Sequence, residues 1–185
     1  MIVGISGYAR SGKDTLANQL VDHLGWERHG FADALRDVLY ALNPIVQVED
    51  GTIAVQHLVD LHGWEEAKDQ CAGSMFGTRA LLQRLGTDAG RRILGDTIWI
   101  DVLCAKLAGG ADYVVPDVRF PNEADALRSR GALVIRIERP GYGPANTHPS
   151  ETSMDAHPFD GLIVNDGTTA DLLDQFRPHI QRAAA

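Results

Sequence analysis

Lysine is nearly absent from this chain: of 17 basic residues in 185, only Lys13, Lys68 and Lys106 are lysines. Positive charge is short overall, with 25 Asp and Glu against 17 Lys and Arg and a net charge of −8. A general nucleic-acid-binding surface carries basic excess, so no nucleic-acid polymer is expected as a partner. Cysteine is limited to Cys71 and Cys104, in helical-looking segments without metal-ligand spacing. That excludes a disulfide framework or a cysteine-ligated metal, and fits buried or half-buried thiols in a reducing compartment. No apolar run reaches membrane-spanning length and no charged-then-apolar leader opens the chain, so a cytosolic protein with no membrane partner is expected. Repeats and low-complexity tracts are missing too, and Ala183-Ala184-Ala185 reads as a frayed end. At 185 residues the simplest reading is one domain with a substantial core.

Against that scarcity of lysine, the position of Lys13 stands out. Gly7-Tyr8-Ala9-Arg10-Ser11-Gly12-Lys13-Asp14-Thr15 fits G-x-x-x-x-G-K-[ST] with one extra residue, Asp14. An apolar run, Met1 to Ser6, precedes it as a strand, and Leu16 to Leu24 follows with helical periodicity. Strand, glycine loop and helix together make a phosphate-binding loop. Glycines let backbone N–H groups close around phosphate oxygens, and the helix N-terminus adds favourable partial charge. In such a loop Gly7, Ser11 and Gly12 line ATP, Lys13 reaches the β- and γ-phosphates, and Thr15 offers a hydroxyl to Mg²⁺. Asp14 has two readings: an acidic residue favoured by the helix dipole, or an organiser of the metal or an arginine.

Beyond the loop, strands alternate with helices, which points to an α/β fold with a parallel sheet. Trp26–Phe31 reads as a short strand and Ala32–Leu42 as a helix closed by Asn43-Pro44. Residues 45–77 read as an inserted helical subregion, with pieces at 54–61 and 65–71. Helical periodicity covers 79–94 and 97–107. Strands follow at 111–115, 132–137 and 162–164, with helices at 121–130 and 169–180. The stretch 140–149 is a Gly/Pro loop.

Several segments carry further chemistry. Asp117-Val118-Arg119-Phe120-Pro121-Asn122-Glu123 follows a strand, at the edge of a parallel sheet where ligands gather. There Asp117 can hold Mg²⁺ and Arg119 can bind phosphate, or the pair can cap the next helix. Pro116 is awkward inside a central strand. Asp33 and Arg36 share a helix face. Gln83, Arg84, Thr87, Arg91 and Arg92 line one helix-rich stretch, where an amide can read a base edge and guanidiniums can fork onto phosphate. Trp99 offers a ring to stack on a base and equally fits a core position. Arg139-Pro140-Gly141 opens a loop with the hinge residues of a lid, which leads to His148 and Glu151. Asn165 and Gly167 follow the last strand, either to meet the nucleotide or as an ordinary turn.

Taken together, these residues resemble the phage-type deoxynucleoside monophosphate kinases over Ile2 to about Phe176, with the segments in the family's order. The Asp117–Glu123 run with Arg139-Pro140-Gly141 is the most specific part. The resemblance implies a P-loop kinase three-layer fold of about five parallel strands, with a helical acceptor-binding region at about 32–108 and a lid at about 139–150. It implies transfer of the ATP γ-phosphoryl to a deoxynucleoside monophosphate, with Mg²⁺ held by Thr15 and Asp117. Lys13, Arg10, Asp14 and Arg139 would serve catalysis, with Asn165 and Gly167 added to the ATP set. Asp33, Arg36, Gln83, Arg84, Thr87, Arg91, Trp99, Arg119 and Glu151 would bind the acceptor. A homodimer is compatible with the type. Other small-molecule kinases of the same shape, resembling phosphomevalonate or dephospho-CoA kinases, are the nearest alternative. A nucleotide-binding switch is a more distant one, and no guanine-reading N-K-x-D motif is present.

Overall fold

The structure, a computed structural model, describes residues 1–70 and 74–183. Cys71, with the end of the helix expected to 71, and Ala184-Ala185 lie outside the described residues. The chain separates into two compact units, residues 1–30 with 103–185 and residues 31–102.

The first unit is built on five parallel strands. In chain order these are β1 (Ile2–Ser6), β2 (Glu27–Arg28), then β5 (Tyr113–Val115), β6 (Leu133–Glu138) and β7 (Gly161–Val164). They lie in the order β2-β5-β1-β6-β7. Every neighbouring pair is parallel, so all five C-terminal ends share one edge. Val3 and Ile5 of β1 point to one face, where they join Ile135, Ile137 and Ile163. Leu16, Ala17 and Leu20 of α1 (Lys13–Leu24) and Leu172, Leu173 and Phe176 of α8 (Thr169–Ala183) close that core. Trp26 meets Phe176 edge-on, with ring centroids 6.2 Å apart.

Strand alternation turns Gly4 to the other face. A Cβ there would come within 2.8 Å of Leu127 of α6 (Pro121–Arg128) and 2.9 Å of Val118. The missing side chain is what lets α6 lie close to the sheet. The awkward Pro116 resolves simply. β5 ends at Val115, and the chain rejoins β1 through Val118 N–H to Ile5 O at 3.1 Å. Pro116 is therefore outside the ladder and owes it no N–H.

The second unit differs from its sequence reading in two places. Residues 45–54 form an antiparallel hairpin, β3 (Ile45–Val48) and β4 (Gly51–Ala54), where only an inserted helical subregion was expected. Ile45, Val46, Val48, Thr52 and Ile53 are β-branched, and Asp50-Gly51 is a strong hairpin signal. Val46 is fully buried with Leu39 of α2 (Phe31–Leu42) and Val55, Leu58 and Ala67 of α3 (Val55–Asp69). Glycine does separate two helical pieces within α3, since Gly63 leaves the helix at φ 75°. The second difference lies in the helix expected over 79–94. It is α-helical only as α4 (Thr78–Gln83) and continues as a π-helix over Arg84–Leu94. A π-helix bonds i to i+5, one residue more per turn. The chain leaves this unit through α5 (Ile98–Lys106), on which Cys104 is half-buried.

Candidate active site

The loop after β1 is shaped by three residues in the left-handed region: Gly7 (φ 145°), Arg10 (φ 63°) and Gly12 (φ 109°). Side chains would not fit at either glycine. A Cβ on Gly7 would lie 2.3 Å from Ile137 O, and one on Gly12 would lie 2.6 Å from Asn165 Nδ2. Gly12 is the N-cap of α1 and supplies no side-chain cap. Ser11 is buried, and its Oγ has no hydrogen-bond partner among the described residues. An uncapped helix start and an orphan buried hydroxyl in one loop are what an anion would satisfy.

Lys13 lies inside the same loop. Its side chain is buried, and Nζ donates to Tyr8 O at 2.6 Å. Burial is the main cause that pulls its pKa down to about 8; the Arg119 guanidinium acts the same way, and Asp14, Glu151 and Asp117 oppose both. An ammonium held so far from water is poorly solvated, and phosphate oxygens would stabilise its charge.

Parallel topology brings the other strand-end residues to this edge. Arg139, just after β6, donates from Nη1 to Arg10 O at 3.4 Å, and its guanidinium lies 4.6 Å over the Tyr142 ring. Asn165, just after β7, donates from Nδ2 to Ser11 O at 2.8 Å. Its amide therefore braces the loop. Gly167 belongs to a helix-start turn in which Asp171 accepts from the Thr168 N–H (2.6 Å) and hydroxyl (2.8 Å). That bonding holds the Asp171 carboxyl below its usual range. Arg119 pairs with Glu151 at 2.9 Å, and the Glu151 side chain is only 4% exposed. Glu123 accepts from the N–H groups of Arg119 (2.7 Å) and Phe120 (3.0 Å), which fixes where Arg119 starts.

For a divalent cation the donors at this edge are the half-buried Thr15 hydroxyl and the Asp117 carboxylate. The carboxylate lies against Gly30, where a Cβ would come within 2.9 Å of Oδ2. One hydroxyl and one carboxylate fit Mg²⁺, which takes few protein ligands when phosphates and waters complete its octahedron. Asp14 is exposed and ion-paired with Arg28 of β2.

The residues singled out in the second unit fall into two groups. Trp99 is not a free stacking platform. It is buried, its Nε1 donates to Gly86 O at 2.8 Å, and its ring fills the space beside Gly90, where a Cβ would lie 2.5 Å away. Arg91 is also buried and donates to Asp96 O at 2.9 Å, bracing the end of the π-helix. The other group is closer to solvent. Asp33, Gln83 and Thr87 are half-buried and Arg84 is exposed. Arg36 makes a 3.3 Å pair with Glu65, whose carboxylate is also held by Lys68 at 2.6 Å.

One cluster received no role from the sequence. Arg136, on β6, is buried and bonds Glu138 (2.9 Å) and Asp155 (3.2 Å), and it stacks over Tyr8 of the glycine loop. The signal was present: an arginine inside the apolar run Leu133–Ile137 cannot be buried without built partners.

Five parallel strands and a glycine loop at the first strand-to-helix turn, with a buried lysine, define the class as a small α/β protein with a phosphate-binding loop. The deoxynucleotide monophosphate kinase family model matches residues 46–176, and the chain belongs to that family. A provisionally named deoxynucleotide monophosphate kinase of Acanthamoeba polyphaga mimivirus is 30% identical over 201 residues, covering 100% of this chain and 98% of the relative. The deoxynucleotide monophosphate kinase of Enterobacteria phage T4 is 34% identical over 107 residues, 55% of this chain and 44% of that protein. The deoxynucleoside-5'-monophosphate kinase of Escherichia phage T5 is 29% identical over 149 residues, 76% of this chain and 56% of that protein. The chain thus spans nearly the whole mimivirus protein and about half of the two phage enzymes.

Proposed function

We propose that this protein transfers the γ-phosphoryl group of ATP to a deoxynucleoside monophosphate, giving the deoxynucleoside diphosphate and ADP. The observation that carries the reading is Lys13, buried with its Nζ on Tyr8 O in an uncapped glycine loop, in a chain of this family. The acceptor phosphate is largely dianionic near neutral pH, its second pKa being about 6, so it attacks without a general base. The protein's task is to align two anions, screen their repulsion and exclude water. Lys13, the Ser11 hydroxyl and the N-terminus of α1 hold the donor phosphates. Arg10 and Arg139 offer positive charge beside the transferred group, and Arg119 adds to it. Thr15 and Asp117 would hold Mg²⁺, which when bound neutralises charge on the β- and γ-phosphates. Acceptor recognition falls to Asp33, Arg36, Gln83, Arg84 and Thr87. Arg91, Trp99 and Asp14 each have a protein partner: Asp96, Gly86 and Arg28.

The test is ADP release from ATP–Mg²⁺ with each of dAMP, dGMP, dCMP, dTMP, their ribose counterparts, phosphomevalonate and dephospho-CoA. Turnover with one or more deoxynucleotides, lost in Lys13→Ala, is expected. Turnover with only phosphomevalonate or dephospho-CoA would keep the class and refute the substrate. ATP binding with no acceptor turned over would point to a nucleotide switch.

A further inference from the structure

The Arg136 cluster joins three parts of the first unit that are far apart in sequence. Its Nε bonds Glu138 Oε1 at 2.9 Å, immediately before the loop that begins at Arg139. Nη2 bonds Asp155 Oδ1 at 3.2 Å and Nη1 reaches Met154 O at 3.5 Å, where the chain returns. The guanidinium is 4.9 Å from the centroid of the Tyr8 ring and 5.4 Å from that of Phe159. Tyr8 completes the circuit, donating its hydroxyl to Asp155 Oδ1 at 2.8 Å while its carbonyl receives Lys13 Nζ at 2.6 Å.

A buried cation that only stabilised the sheet would need its carboxylates and nothing more. Here the aromatic it stacks on belongs to the glycine loop, and the backbone of that aromatic is where the loop's lysine rests. We propose that Arg136 is a positioning residue. Together with Asp155 it staples both ends of the 139–153 stretch to Tyr8, and so holds the glycine loop and Lys13 ready for phosphate before the nucleotide arrives. Arginine suits the role because its flat, always-charged fork can bond in its plane and stack on both faces at once. Lysine, a compact point charge, has no planar fork with which to hold this bonding and stacking geometry.

This rests on the ATP-binding reading of the loop, and the experiment separates the two. ATP–Mg²⁺ affinity and binding stoichiometry are measured by calorimetry for the unmodified protein, Tyr8→Leu, Arg136→Met and the double variant. Each single change is expected to weaken affinity about tenfold, as the loss of one desolvated cation–π contact would. The double variant should be no weaker than the poorer single, because both remove one coupling. Stoichiometry should stay near one, whereas a merely structural role would lower the competent fraction and leave the Kd of the remainder unchanged. Arg136→Lys should fail to restore affinity. Should Arg136→Met not fold, Tyr8→Leu paired with Asp155→Asn decides on the same criterion. Variants that bind as tightly as the unmodified protein, or single losses that multiply in the double, overturn the inference alone. No binding by the unmodified protein overturns the ATP reading and the inference with it.

Discussion

Raising the pH should loosen ATP, because burial brings Lys13 close to losing its proton. Its pKa in the free protein is about 8, chiefly through burial. Phosphate oxygens would favour the charged form, so the bound protein keeps the proton to higher pH. At pH 7 about nine-tenths of the free protein carries a charged Lys13, and at pH 9 about one-tenth does. If only the charged form binds well, apparent affinity falls about tenfold between those values, approaching tenfold per unit above them. At pH 8, binding should take up about half a proton. Calorimetry in two buffers of different ionisation enthalpy measures that uptake directly, and Lys13→Arg should flatten the pH dependence. Stability without ATP should move the other way. The unfolded lysine titrates near 10.5, so between about 8 and 10.5 the unfolded state binds more protons and stability rises with pH. ATP affinity that is level from pH 7.5 to 9.5, with no proton uptake, would refute the claim that a poorly solvated lysine holds the nucleotide.

Three further outcomes follow from the geometry. Asn165→Ala removes the 2.8 Å bond to Ser11 O and should weaken ATP binding by about 1 kcal/mol without altering the acceptor KM; an unchanged ATP titration would refute the bracing role. Glu151→Gln takes the ion partner from Arg119 and should lower stability in a urea melt by about 1 kcal/mol, less than for a fully buried pair because Arg119 is 41% exposed; a more stable variant would contradict the pairing. Gly90→Ala should destabilise by about 1–3 kcal/mol by pressing on the Trp99 ring, and Trp99→Phe by about 1 kcal/mol through its lost bond to Gly86. Wild-type denaturation midpoints in both would place the indole elsewhere.

What could be read from residues alone was local chemistry carried by short runs. Lys13 in its glycine loop, the apolar strands and the alternation of strand and helix are all statements about neighbours in sequence, where residue type constrains backbone and period directly. The hairpin at 45–54 was legible by the same logic, through its β-branched residues and Asp50-Gly51, and was masked by the weak helical pattern around it. The π-helix was not legible, because the apolar spacing over 79–94 suits an α-helix and no local residue pattern marks the change of winding. Whether a polar side chain meets a ligand or a neighbour was likewise undecidable from type and spacing. Arg91, Asn165 and Asp14 have the right chemistry for a nucleotide, and the fold gives them the neighbours Asp96, Ser11 and Arg28. Arg136 shows the converse: its type was visible, but the partners that give it a role are 2, 19 and 128 residues away. Sequence thus determined the class of chemistry through local patterns. Only the folded chain decided which charges stay available for phosphate, because burial and pairing are properties of residues brought together from distant positions.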